Sequence, residues 1–297
     1  MSDLFRAKYL GIYLSGINPD NAESTRARKT RDIRRFLDFL AMERVKCFDN
    51  FDVNLVYRFL DSLNLNKQSS LNSVKFSLKE FFNVLNKEGI IGFDGRQIFP
   101  IISDSRRECI PSFYETEEIR KMIDAFDPGS PNYTRDKTMF LLAAQMGLRA
   151  SDIIQLKISN ILWDRDLIEK VQIKTGNPVS VPMPENIKFL LIDYIRNHRP
   201  ESDSDYVFIN RKTGGIYHPW KLYYIVKSLI GKTDIVVGNR KIGPHSLRHS
   251  LATRLLKDNT PMPVITGVLG HKNLYTTRMY LSIDIDSLRS MSLEVDS

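Results

Sequence analysis

Several side chains of the types that bind and transfer phosphoryl groups are spread over the second half of this 297-residue chain. Two arginines can hold the oxygens of a phosphate with paired hydrogen bonds and stabilise the charge of a pentavalent transition state. Histidines donate hydrogen bonds and move protons, a lysine can protonate a leaving alkoxide, and a tyrosine can act as a nucleophile. Together these groups describe phosphoryl transfer to a protein phenol without a metal. The candidates are Arg149, Lys174, His245, Arg248, His271 and Tyr280.

The stretch IGPHSLRHSLATRLL, residues 242–256, predicts a helix that carries His245 and Arg248 in its first turn. The free amides and the positive dipole end of a helix start favour a bound anion. His249 also lies four residues after His245, which is the spacing of a zinc pair. The metalloprotease pattern requires glutamate directly after the first histidine, however, and this chain has Ser246 there, so the zinc interpretation is weak.

Two further elements are expected to position the other cations. Gly147 is predicted to end one helix and Ser151 to cap the next, which leaves Arg149 pointing out of the connection between them. In LIEKVQIKTGNPVSVPM, alternating apolar residues predict a β-hairpin with Lys174 beside its tip. In this prediction the apolar side chains of one strand face those of the other, namely Val171 and Ile173 against Val179 and Val181.

The first hundred residues predict a module of four helices. Ser24 is the expected N-cap of one of them, and the apolar side chains of that helix recur at helical spacing. Another helix should begin near residue 69 and stop at Gly89. Basic side chains on these two helices are candidates for DNA contact, although a solvated face is the ordinary explanation for any one of them. These are Arg28, Arg31 and Arg35, with Lys75 and Lys79 expected to be exposed.

The fold class is therefore mainly α with a small β-hairpin, in two domains. Glycines and prolines between residues 89 and 112 predict an extended linker. We place one domain at 1–105, the linker at 106–112 and a second domain at 113–297. The net charge of +8 favours a polyanionic partner. Two distant cysteines, no signal peptide and no membrane span predict a cytoplasmic protein without membrane contact.

Four segments in this order resemble the signature boxes of the tyrosine recombinases, the phage-integrase-type site-specific recombinases. They are GLRASD at 147–152, IKTGNPVSVP at 173–182, HSLRHSLATRLL at 245–256 and LGHKNLYTTRMY at 269–280. The helical module is similar to the SAM-like core-binding domain of that family, and the second domain to its catalytic domain. The resemblance covers nearly the whole chain.

The resemblance implies a role for each candidate side chain. Tyr280 would attack a DNA phosphodiester and form a 3′-phosphotyrosyl bond, while Arg149, Arg248 and His271 hold the phosphate. Lys174 would protonate the 5′-oxygen, and His245 would assist the tyrosine proton. The reaction would need no metal, cofactor or ATP. The implied partners are duplex DNA with inverted half-sites and three further copies of the chain in a tetramer, with the apolar tail after Tyr280 docking on a neighbouring subunit or on its own domain.

Two positions depart from the family pattern. Asp152 stands where glutamate is more usual, and its shorter side chain is expected to orient an arginine or cap a helix start; Asn259 stands where glycine is common. Tyr275 is at the wrong distance from His271 and is read as packing, and His198 and His218 are read as surface or capping residues. Two other functions are weighed: a DNA-binding family member without catalysis, and a metal-dependent nuclease, for which the histidines lack a nearby carboxylate cluster.

Overall fold

The chain divides into two compact units, Met1–Arg106 and Arg107–Ser297, in a computed structural model. The structure describes residues 2–19, 21–49, 51–63, 68–100, 112–174 and 176–270. The predicted linker at 106–112 therefore lies outside the described residues except for Ser112, and so do the predicted site residues His271 and Tyr280. No helix in these ranges is long and apolar enough to cross a membrane.

The first unit is helical, as its sequence predicts. Apolar residues at helical spacing, including Ile33, Phe36 and Leu40, are fully buried and pack against an aromatic cluster around Phe81 and Phe82. Burial of such large rings supplies most of the hydrophobic stabilisation of a small helical unit. Its helices are α1 (Ser2–Gly16), α2 (Glu23–Met42), α3 (Asn54–Ser62), α4 (Gln68–Lys87) and the short α5 (Gly95–Ile98).

Two local predictions for the first unit are wrong. Ser24 is not the N-cap of α2, because the helix already begins at Glu23 and Ala22 precedes it. Residues 89–100 are also not extended linker. Asp94 accepts hydrogen bonds from the amides of the next turn and nucleates α5, whose Ile98 is buried in the same core. The glycines and prolines of this stretch indicate its turns, but they do not reveal the one-turn helix between them.

The second unit is built around a buried helix. Nearly every residue of this helix from Thr138 to Ala144 is inaccessible, because other helices pack around it. Its elements are α6 (Thr116–Asp124), α7 (Tyr133–Ala144), α8 (Ala150–Ile154), β1 (Ile161–Leu162), β2 (Leu167–Val171), β3 (Pro178–Pro182), α9 (Glu185–Asp193), α10 (Trp220–Ile230), α11 (Pro244–Lys257) and α12 (Met262–Leu269). A 3-10 turn (Ile158–Asn160) precedes β1 and a π-helical turn (Tyr194–His198) follows α9.

The three strands form one antiparallel sheet in the order β1-β2-β3, with the predicted hairpin between β2 and β3. The predicted facing of its side chains is wrong. Val171 is 62% exposed and Ile173 is 47% exposed, whereas Ile168 is buried and pairs with Val181. Within β2 the buried side chain is that of Ile168, and the exposed side chains lie on either side of it. The backbone pairing ends at Val171, whereas the alternating pattern in the sequence continues past the end of the strand.

Candidate active site

Arg149 is positioned by the turn between α7 and α8. Gly147 adopts a left-handed φ of +65°, and the amide of Leu148 donates to the carbonyl of Leu142 in a 3.1 Å hydrogen bond that closes the end of α7. Leu148 then returns to the core. Arg149 itself is the N-cap of α8, so the prediction that Ser151 fills this position is wrong. The Arg149 side chain is half-buried rather than pointing out of the turn.

Arg248 lies in the second turn of α11 and is only 3% exposed. Its guanidinium donates to the carbonyl oxygens of Gly147, beside the turn of Arg149, and of Leu269, the last residue of α12. A β-carbon at Gly147 would stand 2.8 Å from a methyl carbon of Leu251, so α11 passes directly against this turn. Burial of a charged arginine is costly unless it has strong partners, which these carbonyls provide.

A third polar side chain connects the two arginines. Gln172 is 1% exposed, and its side-chain oxygen accepts a hydrogen bond from Arg149. Its side-chain nitrogen donates to the carbonyl of Leu269 at 3.1 Å, the carbonyl that also accepts from Arg248. The sequence analysis missed Gln172. The available signal was a lone amide between Val171 and Ile173 at the end of an apolar strand.

Lys174 lies in the exposed loop that joins β2 to β3, as predicted. Asp152, which is completely buried in α8, accepts a 3.0 Å hydrogen bond from the backbone amide of Ile173. The expectation that Asp152 orients an arginine or caps a helix start therefore gives way to a different contact: its carboxylate fixes the loop one residue before Lys174. Its other oxygen has no partner among the described residues.

His245 occupies the second position of α11. Desolvation by the surrounding protein lowers the pKa of His245, and the positive charges of Lys174, Arg248 and Arg149 lower it further. The imidazole is therefore neutral near pH 7 and can accept a proton.

His249, one turn further along α11, is a different case. Burial and the neighbouring charges of His245 and Arg248 lower the pKa of His249 to about 4. No group of three His, Cys, Asp or Glu side chains with the geometry of a metal site occurs in the described part of the chain. His198 and His218 lie at the surface, as predicted, and the His218 ring accepts a hydrogen bond from the amide of Trp220 at the start of α10.

The predicted basic residues of the first unit fall into two groups. Arg31 and Arg35 are exposed on α2. Arg28 instead pairs with Asp32 at 3.0 Å, and the prediction that Lys75 and Lys79 are exposed is wrong, since both are half-buried. The Lys79 ammonium donates to the carbonyl of Phe99 at 3.1 Å, so it secures the chain after α5.

The geometry of the second unit can be compared with known proteins. Residues 112–285 match the phage integrase family, a match that covers more than half of the chain. The chain is 27% identical over 269 residues to a putative integrase/recombinase, y4rA, of Sinorhizobium fredii; this similarity covers 88% of the chain and 64% of the relative, less than two thirds of the relative's length.

A second relative is matched over most of its length. The chain is 26% identical over 289 residues to the tyrosine recombinase XerD of Vibrio vulnificus, covering 91% of the chain and 88% of XerD. The fold is also similar to that of the XerH site-specific recombinase bound to a palindromic difH substrate, with a TM-score of 0.73 and 20% identity over 89% of this chain and 78% of XerH.

Proposed function

The chain belongs to the phage integrase family, the family of the tyrosine recombinases that break and rejoin DNA, and we propose that it does so through Tyr280 and the cluster around Arg149 and Arg248. The observation that carries this proposal is that Gln172 and the carbonyl of Leu269 connect Arg149 to Arg248. Lys174 follows Gln172 by two residues, and His245 lies one turn before Arg248 on α11. A phosphate that contacts all four would lie at the start of α11.

In the proposed cleavage step, the phenolic oxygen of Tyr280 attacks the scissile phosphorus and the bond to the 5′-oxygen breaks. The phenol proton passes to His245, whose lowered pKa keeps it neutral and able to accept. Lys174 donates a proton to the departing 5′-oxygen from its exposed loop. The new 3′-phosphotyrosyl ester conserves the energy of the phosphodiester, so a free 5′-hydroxyl can reverse the step without ATP.

Arg149 and Arg248 are proposed to bind the nonbridging oxygens of the phosphate, with His271 as a further donor. Hydrogen bonds to carbonyl and amide oxygens support this assignment, because they hold both guanidinium groups in fixed orientations beside the end of α12 and the Gly147 turn. The fixed positive charge then stabilises the extra negative charge of the pentavalent transition state.

The wider assembly is also part of the proposal. The first unit acts as a core-binding domain that contacts the DNA backbone through exposed basic side chains such as Arg31 and Arg35. Four copies act on two cytoplasmic DNA duplexes, each of which presents inverted half-sites. The tail after Tyr280 has apolar side chains suited to dock on a neighbouring copy, namely Ile283, Ile285, Leu288, Met291 and Leu293.

The decisive experiment uses a nicked duplex selected from a random-sequence pool by binding to the full chain, hereafter the selected duplex. The protein is incubated with it in EDTA and the products are run on a denaturing gel. We expect a covalent DNA-protein adduct that Tyr280→Phe abolishes and Tyr275→Phe retains. Absence of an adduct with the unsubstituted chain would favour a non-catalytic DNA-binding protein, and cleavage that requires added Mg²⁺ would favour a nuclease.

A further inference from the structure

Gln172 forms a junction between all four sequence segments of the proposed active site. Its side chain contacts Arg149 in the first segment and the carbonyl of Leu269 in the last, and Arg248 in the third shares that carbonyl. Its backbone directly precedes the second. Since the residue is 1% exposed, these hydrogen bonds are shielded from competing water.

The backbone of Gln172 also closes the loop that carries Lys174. Its amide donates to the carbonyl of Asn177 at 2.8 Å, and its carbonyl accepts from the amide of Gly176 at 2.8 Å. Lys174 is two residues from this closure. A displacement of Gln172 would therefore shift the base of the Lys174 loop together with the Arg149 side chain.

Gly270, in the described start of the last segment, is packed against the same amide. Gly270 has a left-handed φ of +56°, and a β-carbon there would stand 2.3 Å from the side-chain nitrogen of Gln172. The chain can pass this close only with glycine at that position. Because His271 follows Gly270 directly, the Gln172 amide sets where the backbone enters the segment that carries His271 and Tyr280.

We propose that Gln172 is a positioning residue, a neutral amide that aligns Arg149, the Lys174 loop and the entry to the His271 segment for attack on one phosphate. This inference rests on the proposed function. The chemistry of the side chain explains why an amide suits the junction. Its oxygen accepts from Arg149 without the negative charge with which a carboxylate would compete against phosphate, and its nitrogen donates to Leu269, which a carboxylate cannot do.

The test compares Gln172→Met, which keeps the shape and removes both side-chain hydrogen bonds, with the unsubstituted chain on the selected duplex. We expect adduct formation at saturating DNA to slow by about 10- to 100-fold, the effect of losing oriented hydrogen bonds to a charged group. The dissociation constant for DNA should change by less than about 3-fold, since many backbone contacts share the binding. Thr138→Val is the matched control, because Thr138 is a buried polar residue of α7 that bonds within its own helix. It should leave the rate unchanged.

A double-mutant cycle separates positioning from general stability. In the Arg149→Ala background, Gln172→Met should slow the residual reaction by a clearly smaller factor than in the unsubstituted chain, because Arg149, one of the groups that Gln172 aligns, is gone. Full additivity of the two substitutions, or a loss of rate in Gln172→Met that only mirrors a loss of folded protein, would overturn the inference.

A second variant keeps the test decisive if Gln172→Met does not fold. Gln172→Glu has the same shape but cannot donate a hydrogen bond to the carbonyl of Leu269, and it places a carboxylate beside the Arg149 guanidinium. We expect this variant to slow adduct formation at least about 10-fold. A wild-type rate in Gln172→Glu would overturn the inference. Tyr280→Phe runs beside these variants: an adduct that survives Tyr280→Phe would contradict the proposed function, whereas Tyr280-dependent adducts with unslowed Gln172 variants would contradict this inference alone.

Discussion

Arg28 in the first unit and Arg248 in the second both lie against a helical core, but their partners differ. Arg28 pairs with the carboxylate of Asp32, which is itself 5% exposed and also accepts from Ser77. Arg248 is more deeply buried, and its guanidinium is held by two backbone carbonyls. The carboxylate offsets the charge of Arg28 and makes it a structural residue. The carbonyls hold the Arg248 guanidinium between the Gly147 turn and the end of α12, where the proposed reaction needs its charge.

The buried polar side chains also differ between the two units. In the described part of the first unit they are Asp32 and Ser77, which bond to each other. In the described part of the second unit they are more numerous, namely Thr134, Thr138, Asp152, Gln172, Ser246, Arg248, Ser250 and Thr253. Gln172 and Arg248 among them belong to the proposed phosphate site. Burying polar groups is costly unless their hydrogen bonds are satisfied. The buried polar groups of the proposed site meet this condition through the hydrogen bonds of Gln172 and Arg248.

The largest expected effect tests the difference between Arg28 and Arg248 directly. Arg248→Ala or Arg149→Ala should slow adduct formation on the selected duplex by roughly 10²- to 10³-fold, because one preorganised donor to the transition state is lost. DNA affinity should fall little, since many contacts share it. Arg28→Ala, the matched control, should leave the rate of adduct formation unchanged. Equal losses of affinity and rate in Arg248→Ala would contradict its assignment to the transition state.

Glycine substitutions compare the two units through the free energy of unfolding. Gly89 after α4 and Gly270 after α12 both have positive φ angles, +67° and +56°. A β-carbon at Gly89 meets nothing within 4 Å, whereas one at Gly270 meets Gln172 at 2.3 Å and Val179 at 2.4 Å. We expect Gly89→Ala to cost about 1 kcal/mol of unfolding free energy from backbone strain alone. Gly270→Ala should cost about 3 kcal/mol, since overpacking adds to the strain.

The measurement for these variants is urea denaturation followed by two probes. Both tryptophans, Trp163 and Trp220, belong to the second unit, so fluorescence reports Gly270→Ala. Hydrogen exchange of first-unit peptides reports Gly89→Ala. Equal destabilisation by the two substitutions would show that Gln172 and Val179 move aside, and that the contact at Gly270 is loose.

Acid should destabilise the second unit before the first. All five histidines lie in the second unit, and His249 has a pKa of about 4, below the 6.5 of an unfolded histidine. The unfolded chain therefore binds the extra proton as the pH falls below 6.5, and the folded chain takes it up only near pH 4. Stability contributed by neutral His249 is complete above pH 6.5 and is lost between these values, by about 2 kcal/mol at pH 5.

Tryptophan-detected urea unfolding at pH 7 and pH 5 measures this loss. His249→Asn should reduce the difference between the two pH values, because asparagine does not titrate. His218→Asn is the matched control, since His218 lies exposed at the surface. An unchanged pH dependence in His249→Asn would show that His249 is not the group responsible.

The sequence predicted the helices, the hairpin and the residue types of the site, because apolar spacing and turn residues act locally. It did not predict how the segments contact one another. Asp152 was expected to serve an arginine or a helix start, yet it accepts from the backbone of Ile173 in a different element. Gln172 received no attention, since a single amide has no spacing from which its partners 23 and 97 positions away can be read. Long-range polar contacts depend on packing, and one sequence contains no record of them.

The smallest expected effect concerns DNA contact by the first unit. Arg31 and Arg35 are exposed on α2, whereas Arg28 on the same helix is paired with Asp32. If the exposed pair neutralises DNA phosphates, Arg31→Ala and Arg35→Ala should each lower the slope of log affinity against log salt concentration by about 1. Arg28→Ala should leave that slope unchanged, because its charge is already offset within the protein.

Fluorescence anisotropy with the selected duplex at four salt concentrations measures all three slopes. A slope that falls with Arg28→Ala but not with Arg31→Ala would place the DNA on the face of α2 that contacts α4. The distinction between structural and phosphate-binding arginines would then not hold in the first unit.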